Sequence, residues 1–168
     1  MHDAMDDNLD VRPLTARAAA TLAQGMAAID PWRRLGISAH QLEQTLLPGE
    51  TSRALAAPDQ HAHMANFEVW DKGEPAGLLS LRENWLYGPY IRLLAVLPDH
   101  QGTGLGGCLL DWTAQRALRA GETNLWVCAS GFNGGALRFY EVNGFRPVGR
   151  LTDLVVTGEH EVLLRRRL

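Results

Sequence analysis

The stretch from Ile91 to Gly107, IRLLAVLPDHQGTGLGG, restricts the fold of this chain more than any other. The apolar run from Ile91 to Leu97 is too short to span a membrane and is bounded by Pro89 and Pro98, so it reads as a strand buried on both faces. Pro98 ends it. The pattern then becomes helical, with Leu105, Leu109, Trp112, Ala117 and Leu118 spaced along one face and Gly121 as the C-terminal stop. Strand, glycine turn and helix follow one another without a gap.

Glycines in such a turn let the backbone come close to a ligand. The N–H groups of Gly102 to Gly106 meet the positive end of the helix dipole, and an anion, most naturally a phosphate, belongs there. Gly102-Thr103-Gly104-Leu105-Gly106-Gly107 matches the dinucleotide fingerprint letter for letter, but that fingerprint opens the first parallel unit and is followed about twenty residues later by an acid closing the next strand. Here about ninety residues come first, and Glu122 precedes its strand. A nucleoside-triphosphate loop fails sooner, because no Lys-Ser or Lys-Thr follows the glycines.

Val96 to Gly106 resembles the acetyl-coenzyme A signature of the GNAT superfamily of N-acetyltransferases: Gln or Arg, two residues, Gly, one residue, then Gly or Ala. Gln101, Gly104 and Gly106 fill those places. A second signature of that family follows in order, with Asn133, Ala136, Phe139-Tyr140-Glu141 and Gly144-Phe145. The close resemblance covers residues 67 to 150. It implies an α/β fold with a mixed, largely antiparallel sheet flanked by helices. In it the strands resembling Ile91–Leu97 and Asn124–Ala129 splay apart, and the pantetheine arm of acetyl-coenzyme A lies in the gap.

The activity implied is acetyl transfer from acetyl-coenzyme A to a primary amine, on a small molecule or a protein N-terminus, by direct attack in a ternary complex. The resemblance sets the pyrophosphate on the N–H groups of Gln101, Gly102, Thr103, Gly104, Leu105 and Gly106. It sets the thioester near Leu94, Ala95 and Val96, where a fixed N–H would stabilise the oxyanion. Tyr140 becomes the acid that protonates the leaving thiolate, a role suited to a phenol that is neutral at pH 7. Asn133 either contacts the pantetheine arm or caps its helix. Many relatives carry a glutamate base near Ile91 or Arg92, and this chain has Arg92 there. Glu83, ending the neighbouring strand, is the first substitute and Asp153 a distant second, with a water chain that deprotonates the ammonium an equal alternative. Arg92 is either a solvated strand residue or a clamp for an acceptor carboxylate. Two further readings stand beside transfer: a non-catalytic acyl-coenzyme A binding or sensing module, suggested by the missing strand acid, and a nicotinamide-dependent oxidoreductase, resting on the glycine pattern alone.

The length of 168 residues and average composition fit one domain over residues 1–168, with 1–8 read as a disordered lead. The net charge of -3 gives no basic field for nucleic acid or an anionic membrane. The acidic N-terminus has no signal-peptide order, and no run approaches the roughly eighteen apolar residues of a membrane span, so a cytoplasmic location is expected. Cys108 and Cys128 lack metal or redox spacing and sit within apolar patterns, which reads as two buried reduced thiols. Self-association as a homodimer is compatible with the family resemblance.

Along the chain, Leu9 to Arg12 reads as a strand closed by Pro13. Ala16 to Ile29 reads as a helix capped by Thr15, and Ser38 to Leu47 as a second helix capped by Ser38. Between them Trp32, Arg33 and Arg34 either form a wall of the acceptor site or, with Trp32 and Leu35, pin the two helices. A weak helical tendency spans 51–57, and His61 and His63 have no third ligand in view, so no metal is expected. Phe67–Trp70 and Gly77–Leu81 form a hairpin. Glu83 to Tyr90 reads as an aromatic loop in which Trp85 and Tyr87 could meet the acceptor, with core packing the alternative for Trp85 and Tyr90. Asn124–Ala129, then a helix over 133–142, then strands at Phe145–Thr152, Val155–Val156 and Glu161–Arg167 complete the expected order.

Overall fold

A computed structural model describes residues 9–47 and 64–168. The expected disordered lead, the helical tendency at 51–57 and the His61–His63 pair lie outside the described residues. The elements are β1 (Leu9–Pro13), α1 (Ala16–Ala27), α2 (Ala39–Leu46), β2 (Met64–Asp71), β3 (Glu74–Trp85), β4 (Gly88–Val96), a 3-10 turn (Pro98–His100), α3 (Leu105–Arg119), β5 (Asn124–Ser130), α4 (Gly134–Val142), β6 (Arg146–Thr152) and β7 (His160–Arg167). The strands form one seven-stranded sheet in the order β1-β2-β3-β4-β5-β7-β6. The chain divides into two compact units, one ending at Leu81 and resuming over Leu93–Cys108, the other made of Arg82–Arg92 and Leu109–Leu168.

In the first unit both expected helix caps form. Thr15 Oγ1 accepts from the Ala18 N–H at 3.2 Å and in turn donates to Glu68 at 3.0 Å, tying the start of α1 to β2. Ser38 and Gln41 make a reciprocal capping box at α2. The small residues of α1 allow close packing, and Leu22, Ala23 and Met26 form a core with Trp32, Leu42, Leu46, Leu78 and Ala95. A side chain at Gly77 would collide with the Ala95 carbonyl, so only glycine lets β3 and β4 approach here. β2 and β3 join through Lys72 and Gly73, both at positive φ, the backbone of a two-residue hairpin turn.

In the second unit the expected aromatic loop is itself a hairpin. β3 continues to Trp85 and β4 starts at Gly88, leaving Leu86 and Tyr87 as a turn with φ of 42° and 61°. That turn usually takes Asn-Gly. Here its carbonyls are held from outside: Leu86 O accepts from Trp126 Nε1 at 3.1 Å, and Tyr87 O from Asn124 Nδ2 and the Thr123 N–H, each at 3.1 Å. Pro89 therefore lies inside β4 rather than bounding it. β4 is also not buried on both faces: Pro89, Ile91 and Ala95 are buried, while Tyr90, Arg92, Leu94 and Val96 on the alternate face are half-buried.

β4 and β5 run parallel through two register pairs, Tyr90↔Trp126 and Ile91↔Val127. β7 lies antiparallel between β5 and β6. The buried stripe of α3 consists of Leu105, Leu109, Leu110, Thr113, Ala114 and Ala117. Leu118, expected on that face, is 54% exposed, because it stands about 100° further round the helix than Ala117, past the edge of the stripe. Val155 and Val156 form no strand. They sit exposed in the turn between β6 and β7, where Asp153 accepts from the Gly158 N–H at 2.7 Å.

Candidate functional site

The glycine loop is held at both ends. Its 3-10 turn takes the N–H of His100 onto Leu97 O and that of Gln101 onto Pro98 O, and the Gln101 side chain donates back to Val96 O at 2.9 Å. The N–H of Gln101, the first residue of the expected cradle, is therefore engaged within the turn. Thr103 Oγ1 donates to His100 O at 2.7 Å, and His100 meets Asp71 at 3.3 Å. Gly102 and Gly104 have φ of 75° and 89° with open space where a Cβ would stand.

α3 starts at Leu105, and the N–H of Cys108 bonds Gly104 O at 3.1 Å. The N–H groups ahead of it fall in the first helical turn, which has no intrahelical acceptor to offer. No acidic side chain stands in that turn, and Gln101 to Gly104 are exposed. Open N–H groups, positive dipole and absent carboxylates fit an anionic group such as a pyrophosphate. Just before the loop, Leu94 and Val96 are half-buried and Ala95 is buried in the core.

Tyr140 is 7% exposed, with its ring edge-on to Phe139 and Phe145 at 5.1 and 5.4 Å. Burial pushes its phenol well above the usual range, so it stays protonated. Among the described residues its hydroxyl makes no hydrogen bond. Asn133 caps α4, accepting from the Ala136 N–H at 3.0 Å.

The acceptor candidates separate. Trp32 is 8% exposed within the core of the first unit, where it packs α1 against α2, while Arg33 and Arg34 are exposed. Tyr87 is 85% exposed at the hairpin tip. Trp85 is half-buried and stacks on Tyr90 at 5.1 Å and edge-on to Trp126 at 5.4 Å. Glu83 has one carboxylate oxygen 2.6 Å from the Arg116 guanidinium. Arg92 is half-buried without an ion pair among the described residues. Burial pulls its guanidinium down, Tyr90 opposes this, and Arg82 adds to the fall.

Both cysteines are free thiols, but the expectation that they are buried fails. Cys108 is exposed in the first turn of α3, because it points away from the Leu105–Leu109 stripe, and Cys128 is half-buried. Burial pushes the Cys128 thiol up, with Tyr90 opposing the rise. Sequence reading also passed over Glu161, which is 8% exposed on β7 opposite Ser130. Its signal was an acid in phase with Leu163 along an alternating strand. Among the described residues no three His, Cys, Asp or Glu side chains converge as metal ligands, and no helix is long and apolar enough to cross a membrane.

The acetyltransferase (GNAT) family pattern matches residues 26–145. The [ribosomal protein bS18]-alanine N-acetyltransferase of Escherichia coli K12 is 29% identical over 112 residues, covering 64% of this chain and 72% of that enzyme. Among solved structures, an acetyltransferase from Thermus thermophilus superposes with a TM-score of 0.72 at 23% identity over the whole of both chains. A GNAT family acetyltransferase from Elizabethkingia anophelis, solved with acetyl-CoA bound, superposes with a TM-score of 0.63 at 17% identity, covering 97% of this chain and 100% of the other.

Proposed function

The chain belongs to the GNAT acetyltransferase family and is an acetyl-CoA-dependent N-acetyltransferase, and from that premise we propose that it acetylates a primary amine by direct attack on the thioester in a ternary complex, with the N–H groups from Gly102 to Gly106 holding the pyrophosphate. The observation that carries this reading is the glycine loop: open N–H groups at the start of α3, pinned to the end of β4 by the Gln101 side chain. The anion is held by backbone dipoles, so no lysine or arginine is needed beside it.

The remaining roles follow the chemistry. Acetyl-coenzyme A supplies the activated acyl group. Leu94, Ala95 and Val96 carry the backbone beside which the thioester lies, and an N–H there stabilises charge growing on its oxygen. Tyr140 protonates the departing thiolate. Its burial supports this, because a phenol kept neutral is a ready donor at every pH near 7. Asn133 fixes the start of α4, and so the helix that carries Tyr140.

Arg92 holds a carboxylate on the acceptor. Support comes from its half-burial, the nearby charge of Arg82 and the lack of an acidic partner among the described residues. The acceptor class is thus an amine that also bears a carboxylate, on a small molecule or at a protein N-terminus. Thiol release from acetyl-coenzyme A with alanine, an alanine-initiated peptide and spermidine tests this. The carboxylate-bearing acceptors should turn over best, and Arg92→Ala should raise their KM by about tenfold, the loss of one charge-assisted contact, with acetyl-coenzyme A affinity unchanged. Equal effects on both substrates would remove Arg92 from the acceptor site.

A further inference from the structure

The acid usual near Ile91 or Arg92 is absent, Glu83 is engaged with Arg116, and Asp153 is engaged with the Gly158 N–H. Among the described residues, the buried carboxylate of the second unit has neither kind of partner. Glu161 is nine-tenths buried, and among the described residues its side chain has no hydrogen bond and no ion pair.

Strand register fixes which way it faces. Glu161, Leu163 and Arg165 of β7 pair with Ser130, Cys128 and Trp126 of β5, and Trp126 pairs with Tyr90 of β4. Paired residues share a sheet face. The stacking of Arg165 over Trp126 at 5.5 Å shows the same alignment. Arg166, on the alternate face, reaches Asp111 of α3 at 2.9 Å, so α3 covers the opposite side. Glu161 therefore belongs to the face that carries Trp85, Tyr90, Trp126 and Cys128, away from α3.

The charged and titratable groups that the register places on that face are Tyr90 and Arg92 of β4, Cys128 of β5, Arg165 and Arg167 of β7 and Arg146 of β6, while His160 turns to the alternate face against Gly131. None neutralises Glu161. Tyr90 and Cys128 both feel the carboxylate as charge, and Arg165 is held by Asn124 Oδ1 at 2.6 Å. A buried carboxylate without a partner is costly unless a cation arrives to pair with it. The cation that an amine acetyltransferase must accept is its acceptor's ammonium.

We propose that Glu161 receives the acceptor ammonium and is the general base that makes it nucleophilic. The inference rests on the amine-transfer reading given above. The ammonium loses one proton to the Glu161 carboxylate, and the neutral amine then attacks the thioester carbonyl. The C–N bond forms and the C–S bond breaks. A second N–H proton leaves the adduct and ends on the coenzyme A sulfur through Tyr140, which is left unchanged. The proton on Glu161 goes to solvent with the products, so the cycle releases one proton.

Glu161→Gln keeps the shape and removes the charge. Thermal unfolding is compared for the two proteins at pH 7 in ethylammonium chloride and in sodium chloride of equal ionic strength. The wild-type midpoint should rise in ethylammonium, the variant's should not, and the variant in sodium chloride should melt no lower than wild type. Identical responses, or a variant melting several degrees lower, would overturn the proposal, the latter because it marks a structural carboxylate. Thiol release with an alanine-initiated peptide adds the pH profile. The variant's kcat/KM should fall about 10²-fold at pH 7 and recover about tenfold per pH unit as solution supplies the free amine, with acetyl-coenzyme A affinity unchanged. A wild-type profile in the variant would also overturn it. Wild-type silence toward the peptide would count against the acceptor class proposed above, and the ethylammonium comparison alone would then decide the role of Glu161.

Discussion

Burial keeps the Tyr140 phenol neutral, and that one property bears both on the proton-donor role proposed for it and on stability. Tyr140→Phe should lower kcat by about 10²-fold, the usual contribution of a positioned acid, and leave acetyl-coenzyme A affinity intact. It should not destabilise the protein, because the hydroxyl removed has no hydrogen-bond partner among the described residues and leaving a buried hydroxyl unpaired costs about 1–3 kcal/mol. The pH effect has a definite sign. The folded pKa lies above the unfolded value of about 10, so the stability it contributes is complete below that pH and is lost as pH rises through and beyond it. Tyr90 is raised too, by burial first and then by Cys128 and Glu161, and adds to the same alkaline loss. Urea unfolding at pH 8 and pH 11 should show wild type losing more stability than Tyr140→Phe. At this scale the sequence exposed residues whose spacing carries meaning, such as Gln101, Gly104 and Tyr140. It hid Glu161, because what singles out that residue is a missing partner, and partners come from β4 and β5, far away in the chain.

The hairpin at Leu86–Tyr87 shows why element boundaries were harder to read than elements. Its turn contains neither Gly nor Asn, so the sequence offers no turn signal, and the aromatic run from Trp85 to Tyr90 imitates a loop. The conformation is imposed by Trp126, Asn124 and Thr123 gripping the two carbonyls from β5 and its approach. The caps at Thr15 and Ser38, by contrast, are local chemistry, and both were legible. Left-handed backbone at a residue with a Cβ costs roughly 1–2 kcal/mol, and two such residues stand side by side here. Replacing Leu86→Asn and Tyr87→Gly together keeps both carbonyl anchors and relieves that strain. Stability should rise by about 1–2 kcal/mol, which for a chain of this size is roughly 2–8 °C in the unfolding midpoint. If Tyr87 touches the acceptor, KM for the amine will rise in the same variant. If the tip is only a turn, KM will not change.

At the scale of the whole molecule, sheet topology decides what the glycine loop means. A dinucleotide fold needs the loop after the first strand of a parallel sheet. Here it follows the fourth strand, the β1–β2, β5–β7 and β6–β7 ladders are antiparallel, and the parallel β4–β5 ladder has only two register pairs. A six-letter pattern carries no information about sheet topology, which is why the fingerprint alone misleads while the order of elements does not. The consequence can be measured without knowing the acceptor. A ligand present at a hundred times its dissociation constant stabilises the native state by about 2.7 kcal/mol, or some 5–11 °C for a domain of this size. Acetyl-coenzyme A and coenzyme A should each produce such a shift, since the anion cradle proposed at the start of α3 would serve both. NADH and ATP at equal concentration should not, because their phosphates lack the pantetheine arm that the family's cleft accommodates. A comparable shift with NADH would mean that the cradle recognises any diphosphate, and selectivity would then have to come from residues beyond Gly102–Gly106. A shift with coenzyme A alone among these nucleotides would place that selectivity in the arm itself.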